Sequence, residues 1–195
     1  MLINLTPSEA VDEVEAYLAA QTASWGYLPN YAQSFISRPE VARGWAVLNG
    51  AIRGGMDPRR YEVATIGAAR ALRSTYCTAA HAKFLRDDCG DERAMVAIAT
   101  GDDDDALDEV DRAVLAFAAQ VARDPASITE ADVDSLRQVG LDDNEIGDVV
   151  FAAAARCFFA TVVESFGAEA DHQLGEQFEP AVRDAFVVGR PIAEG

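Results

Sequence analysis

A cysteine and a histidine stand four residues apart in the segment "RSTYCTAAHAKF", residues 73–84. Side chains at this spacing lie over the same face of an α-helix. If Ser74 or Thr75 caps a helix that begins there, Cys77 lies in its first turn, where free N–H groups and the helix dipole favour a thiolate. His81 can then take the thiol proton or stabilise the thiolate. The spacing therefore favours a reactive thiol at a helix N-terminus.

Two other interpretations fit the same residues. Cysteine is also an ordinary small core residue, and a histidine can simply be capped or half-exposed. Cys77, His81 and Glu62 could supply three metal ligands, but the sequence has no second Cys/His cluster at zinc spacing. The "GDDDD" run at 101–105 lacks the alternation of an EF-hand loop, so it predicts a solvated loop. We expect neither a metal nor a cofactor.

The segments around this pair carry the signals of helices. Alternating β-branched runs with Asn-Gly hairpins between them are missing, whereas helix caps are frequent, as at Asp57 before Pro58. The pattern predicts about eight helices and an all-α, single-domain helical bundle over residues 1–195. The last helix is expected at 169–188, with a kink at Pro180. Asp171 and the following histidine are interpreted as a surface pair on that helix.

Composition limits the partners and the location of the protein. The net charge is −17, with 33 acidic and 16 basic residues, which disfavours nucleic acid and anionic membranes as partners. The apolar run "VVFAAAARCFFATVV" (149–163) has only 15 residues and includes Arg156, so we expect a buried helix. No segment resembles an export signal, and three cysteines form no disulfide framework, so we expect reduced thiols in the cytoplasm.

A longer pattern surrounds the Cys/His pair in "MDPRRYEVATIGAARALRSTYCTAAHAKFLRD", residues 56–87. Glu62 lies 15 positions before Cys77, and His81 lies four positions after it. This spacing resembles the alkylhydroperoxidase D and carboxymuconolactone decarboxylase-like superfamily, in particular its peroxidase-related branch. The likeness extends over about residues 25–167.

The resemblance implies an alkylhydroperoxidase D-like helical fold and a thiol-dependent, antioxidant peroxidase activity. It aligns Cys77 with the nucleophile that attacks peroxide, and Glu62 and His81 with the proton relay that removes the thiol proton. Tyr76 occupies a position where members carry histidine or tyrosine. A small-molecule peroxide, an external thiol reductant and a homo-oligomeric assembly are the implied partners.

The chain departs from the family pattern at the first cysteine of the Cys-x-x-Cys pair. Ser74 stands there, and it cannot resolve a sulfenic acid, although it is suited to cap a helix. Cys77 would then work as a single thiol resolved from outside, or Cys89 or Cys157 would serve. Ala80 replaces a histidine that many members carry, and "CFFAT" lacks the family's frequent asparagines.

Two further functions stay open. A carboxymuconolactone decarboxylase-like lyase or isomerase would use His81 and Glu62 as acid and base, with anion contacts from arginines of the same region: Arg59, Arg60, Arg70 and Arg73. A non-catalytic family member would only bind or assemble. The aromatic residues near the N-terminus are expected either in the core or at a pocket entrance: Trp25, Tyr27, Tyr31, Phe35 and Trp45.

Overall fold

The computed structural model describes residues 1–101 and 105–195, so Asp102 to Asp104 and most of the predicted "GDDDD" loop lie outside it. The described ranges contain eight helices of seven or more residues and no β-strand. The all-α prediction is confirmed. The helices are α1 (Val11–Trp25), α2 (Pro39–Gly55), α3 (Pro58–Ala71), α4 (Thr75–Asp87), α5 (Glu92–Thr100), α6 (Glu109–Arg123), α7 (Glu130–Gln138), α8 (Asp143–Phe166), α9 (His172–Gly175) and α10 (Pro180–Ala185), with 3₁₀ turns at Asn30–Phe35 and Pro125–Ser127.

A tight turn joins α3 to α4 and sets their relative direction. Arg73 adopts a left-handed conformation with φ of 57°, and the N–H of Ser74 donates to the carbonyl of Ala69. This bond satisfies a carbonyl at the end of α3. The hydroxyl of Ser74 then accepts the N–H of Cys77 and begins α4 as its cap, as the sequence predicts. The turn folds α4 back beside α3.

The centre of the fold is α3, which packs against α4, α6 and α8. Every residue from Tyr61 to Ala69 is buried. At Gly67 α3 lies in close contact with α6, because a Cβ atom added there would clash with the carbonyl oxygen of Leu115. A helix buried over two full turns can present polar groups to the interior only where neighbouring helices supply partners.

The apolar run at 149–163 lies within α8, the longest helix. By length and composition α8 could cross a membrane, but half of its most apolar stretch is buried inside the fold, where it packs on α3 and α6. Its buried face includes Arg156, whose side chain is only 3% exposed. The predicted helix is thus present with one face buried and the other exposed, and the buried face carries a cation into the interior.

The expectation of one long terminal helix at 169–188 is wrong. The segment forms two short helices, α9 and α10, separated by residues 176–179. Pro180 stands at the first position of α10 instead of kinking a longer helix. Proline suits that position because the N–H it lacks would have no partner within the helix.

Replacing Gly67 with alanine tests the close approach of α3 and α6. The added methyl group meets main-chain atoms of Leu115, so one helix must shift, and we expect a loss of about 1–3 kcal/mol in the free energy of unfolding. Urea denaturation measures this loss. Gly147→Ala in α8 is the matched control, because nothing lies within 4 Å of its Cβ position. The control should gain stability by up to ~1 kcal/mol, and equal effects of the two substitutions would contradict the packing argument.

Candidate active site

A cavity of about 170 Å³ lies between α2, α3, α4 and α8. Four of the five residues singled out from the sequence line it, namely Glu62, Tyr76, Cys77 and His81, whereas Ser74 lies below as the helix cap. Aromatic, cationic and polar side chains complete the wall. The full lining is Trp25, Tyr31, Trp45, Asn49, Arg53, Tyr61, Glu62, Tyr76, Cys77, Ala80, His81, Phe84, Arg156 and Phe159.

Cys77 occupies the first turn of α4, with its backbone N–H bound to the Ser74 hydroxyl at 3.3 Å. The residue is 2% exposed, and its apolar neighbours include Ala69 and Ala160. Free N–H groups of the first turn and the positive end of the helix dipole lie next to the thiol. This buried placement in the first turn of α4 matches the position expected from the sequence.

Glu62 and His81 form a buried hydrogen-bonded pair between α3 and α4. The Nδ1 atom of His81 lies 2.5 Å from Oε2 of Glu62, which is fully buried. Since an ionised carboxylate can only accept, Nδ1 donates and Nε2 remains as a proton acceptor. The second oxygen of Glu62 faces the guanidinium of Arg53 at 3.5 Å. Burial, together with the charge of Arg156, lowers the pKa of His81 to about 4 despite the opposing effect of Glu62.

The sulfur of Cys77 is bound by Arg156, a residue that the sequence reasoning did not place in the site. Its Nη1 atom donates to the sulfur over 3.7 Å, and its guanidinium carbon lies 5.5 Å from the ring centres of Trp45 and Phe159. Within the described residues the sulfur has no direct hydrogen bond to His81, so their coupling needs a water or a substrate atom between them. The one sequence signal for Arg156 is a charge inside an otherwise apolar run.

Tyr76 lines the cavity but directs its hydroxyl away from the thiol, to the carboxylate of Asp171. Asp171 also accepts the N–H of Asn30 at 2.7 Å and the hydroxyl of Tyr27 at 3.4 Å. Burial raises the pKa of Tyr76, so its phenol stays neutral, and burial also raises the pKa of Asp171. The prediction of a surface pair is wrong for Asp171, which is 2% exposed, because it ties the C-terminal segment to α4.

The arginines proposed from the sequence as anion contacts lie elsewhere. Arg59 and Arg60 form ion pairs with carboxylates outside the cavity, and Arg70 and Arg73 reach main-chain carbonyls of the C-terminal segment. The expectation for these four residues is therefore wrong. The guanidinium groups that line the cavity come from α2 and α8.

The remaining cysteines and aromatic residues are distributed around the cavity. Cys89 and Cys157 are partly buried and free, and burial raises the pKa of both thiols. Trp25, Tyr31 and Trp45 line the cavity as one alternative expected, whereas Tyr27 and Phe35 do not. Among the residues that the structure describes, no three Cys, His, Asp or Glu side chains form a metal-binding group.

The geometry defines an alkylhydroperoxidase D-like helical fold around a buried thiol. Residues 39–93 match the carboxymuconolactone decarboxylase family model, a range that includes Glu62, Cys77 and His81. The fold is similar to that of a peroxidase-related protein from Ralstonia eutropha JMP134, described as an alkylhydroperoxidase AhpD core, with 21% identity, 89% of this chain and 95% of that chain covered, and a TM-score of 0.73.

Two further solved structures share the fold. A peroxidase-related protein from Silicibacter sp. TM1040 is 21% identical over 89% of this chain and 93% of that chain, with a TM-score of 0.76. The debrominase Bmp8, solved with 2,3,4-tribromopyrrole, is 17% identical over 95% and 96% of the two chains, with a TM-score of 0.71. No curated protein sequence matches the chain. The prediction of an alkylhydroperoxidase D-like helical fold is thereby confirmed, and residues 39–93 carry the sequence pattern of the carboxymuconolactone decarboxylase family.

The low pKa of His81 predicts a specific titration. An NMR titration should show the His81 ring neutral at pH 7 and protonating near pH 4, because burial and Arg156 oppose its charge. The folded-state pKa of His81 is below the ordinary value of ~6.5. The stability that the neutral ring provides is therefore fully present above pH ~6.5. As the pH falls through about 4, the free energy of unfolding decreases by roughly 3 kcal/mol. The chain has only two histidines, so a His172→Gln variant assigns both signals. A His81 midpoint at or above the ordinary value would contradict the buried pair.

Proposed function

We propose that the protein is a thiol-dependent, peroxidase-like oxidoreductase with Cys77 as its nucleophile. The observation that carries this proposal is that the thiol and the Glu62–His81 pair line one small cavity. The thiolate must form before it can attack. A neutral imidazole oriented by a buried carboxylate is suited to accept the proton, through a water because no direct bond joins it to the sulfur.

The reaction follows from these positions. His81 takes the thiol proton at Nε2, and the thiolate attacks the terminal oxygen of a small hydroperoxide. A sulfur–oxygen bond forms while the oxygen–oxygen bond breaks, which oxidises Cys77 to a sulfenic acid and reduces the peroxide. The imidazolium returns its proton to the departing alkoxide, giving an alcohol. Glu62 stabilises the transient charge on His81 through the 2.5 Å hydrogen bond.

A thiol reductant must complete the cycle. Ser74 holds the helix cap and carries no sulfur, so it cannot condense with the sulfenic acid. We propose an external thiol as the reductant, with Cys89 and Cys157 as internal alternatives since both are free. A first donor thiol forms a mixed disulfide with Cys77 and releases water, and a second thiol restores Cys77.

The match to the carboxymuconolactone decarboxylase family supports a second candidate function. The Glu62–His81 pair can exchange a proton with a substrate without help from the sulfur, as a lyase or isomerase acting on a cyclic lactone acid would require. Arg53 and Arg156 supply positive charge for a substrate carboxylate in the same cavity.

The debrominase structure suggests a further class of compounds to test. Trp25, Tyr31 and Trp45 form aromatic walls around the thiol, as a flat ring would require. Two thiols could reduce a carbon–bromine bond to a carbon–hydrogen bond, with release of bromide and formation of a disulfide. A small brominated heteroaromatic therefore belongs in the substrate panel beside hydroperoxides.

We also propose a homo-oligomer in the cytoplasm that does not bind nucleic acid or membranes. Large apolar side chains are exposed on the outer faces of two helices that pack side by side: Val47 and Leu48 on α2, and Phe151 and Phe158 on α8. Contact with another copy would remove them from water. The net charge of −17 opposes contact with phosphate backbones and anionic lipid.

Substitution of the nucleophile tests the proposed function. Consumption of hydrogen peroxide and of a small alkyl hydroperoxide, with dithiothreitol as reductant, should fall to background in Cys77→Ser because the attacking sulfur is gone. A dimedone-type probe should trap a sulfenic acid at Cys77 in the unsubstituted protein, detected by mass spectrometry. Cys157→Ser, on the neighbouring helix, is the matched control: it also loses a thiol, but with dithiothreitol as an external reductant it should keep its peroxide turnover because the nucleophile is intact. Peroxide consumption that persists in Cys77→Ser would contradict the proposal.

Substitution of the relay separates the two enzymatic candidates. Glu62→Gln keeps the shape of the side chain but removes its charge, and we expect peroxide turnover to fall roughly hundredfold. A cyclic lactone acid provides the comparison substrate. Turnover of that acid in Cys77→Ser, together with its loss in His81→Ala, would instead support the lyase. Peroxide turnover that is unchanged in Glu62→Gln would remove the carboxylate from the mechanism.

A further inference from the structure

Arg156 is a buried cation without a carboxylate partner among the described residues. Its side chain is 3% exposed, and its Nε atom is buried without a hydrogen-bond partner. Placing a charge in a protein interior costs several kcal/mol unless another group compensates it. A guanidinium cannot shed its proton to escape that cost. The fold must therefore supply negative charge to Arg156 by some other means.

The neighbouring carboxylates face other groups. Glu62 binds His81 with one oxygen, and its other oxygen lies 3.5 Å from Arg53 without a hydrogen bond. Asp171 accepts hydrogen bonds from Tyr76, Tyr27 and a main-chain N–H. The rings beside the guanidinium offer partial compensation through cation–π contacts. The remaining group in hydrogen-bond contact with Arg156 is the sulfur of Cys77.

We propose that Arg156 is a catalytic residue whose guanidinium is the counter-ion of the Cys77 thiolate. Its Nη1 atom touches the reacting sulfur at 3.7 Å, in a site that excludes most of the water that would screen the two charges. The thiol is neutral and the thiolate is not, so the contact strengthens when the proton leaves. Arg156 thereby stabilises the form of Cys77 that attacks.

This assignment divides the work of the site between two groups. His81 is uncharged before the reaction and receives the proton, while Arg156 holds the negative charge left on sulfur. Proton transfer from Cys77 to His81 thus creates a thiolate beside a cation and an imidazolium beside Glu62. Each new charge has an opposite charge within hydrogen-bond reach.

The planar shape of the guanidinium helps to position it beside the sulfur. Trp45 and Phe159 hold Arg156 with ring centres 5.5 Å from its central carbon, which fixes the group beside the sulfur. A lysine ammonium at the same position keeps the charge but loses the planar group and its fixed donors. We therefore expect Arg156→Lys to preserve only part of the effect.

The inference rests on the proposed function for the identity of the nucleophile, but its test needs no peroxide. The ultraviolet absorbance of the thiolate is titrated against pH in the unsubstituted protein and in Arg156→Met, each as a difference from its Cys77→Ser counterpart. We expect the thiolate midpoint to rise by about one unit or more in Arg156→Met, and by less in Arg156→Lys. The alkylation rate with neutral iodoacetamide at pH 7 should fall about tenfold or more in step. Arg60→Met, which removes an arginine outside the cavity, is the matched control and should leave the midpoint unchanged.

A second comparison covers the case in which Arg156→Met fails to fold. Cys77→Asp places a carboxylate beside the guanidinium, and Cys77→Asn is its neutral match in shape. The aspartate variant should be the more stable of the two at neutral pH by urea denaturation, with the advantage lost in acid. An unchanged thiolate midpoint in folded Arg156→Met, or a less stable Cys77→Asp, would overturn the proposal. Peroxide inactivity with the expected midpoint shift would count against the proposed function alone.

Discussion

The arrangement of the cavity depends on the hydrogen bond between Glu62 and His81. It joins α3 to α4, and it gives the fully buried carboxylate of Glu62 a hydrogen-bond partner within the core. Without a donor, such a group would be costly to bury. The tight turn at Arg73 makes the bond possible, because it returns α4 beside α3 with Cys77 and His81 on the face that meets Glu62. The turn at Arg73 and the Glu62–His81 hydrogen bond thus both hold α4 beside α3.

Desolvation gives the site its chemical character. Charges act more strongly on one another where water is scarce. Aromatic side chains line the cavity around the sulfur and leave less room for water there. The same desolvation keeps the imidazole neutral at physiological pH and leaves it able to accept a proton. Ser74 contributes by fixing the N-terminus of α4 instead of supplying a second sulfur. A cavity with one thiol, one base and one buried cation is suited to forming a single thiolate.

Most of the candidate site is predictable from residue spacing. The residues that could not be predicted, Arg156 and Asp171, were missed for the same reason. Cys77 and His81 are neighbours along one helix, and Glu62 precedes them on the helix that the turn connects. The sequence spacing of these three residues is therefore enough to predict that they meet. Arg156 and Asp171 come from segments distant in sequence, where one interrupts an apolar run and the other resembles a surface acid. Nothing local distinguishes a buried charge from an exposed one, because burial is decided by the elements that pack over it.

The sequence by itself determined the helices, the cap at Ser74 and the shared face of Cys77 and His81. These features depend on hydrogen bonds and spacing within a few residues. Only the tertiary structure decided that Arg156 meets the sulfur, that Asp171 receives Tyr76, and that the last predicted helix divides into two. Such contacts join residues 79 and 95 positions apart. They depend on how helices pack around the central α3, and short-range sequence patterns do not predict that packing.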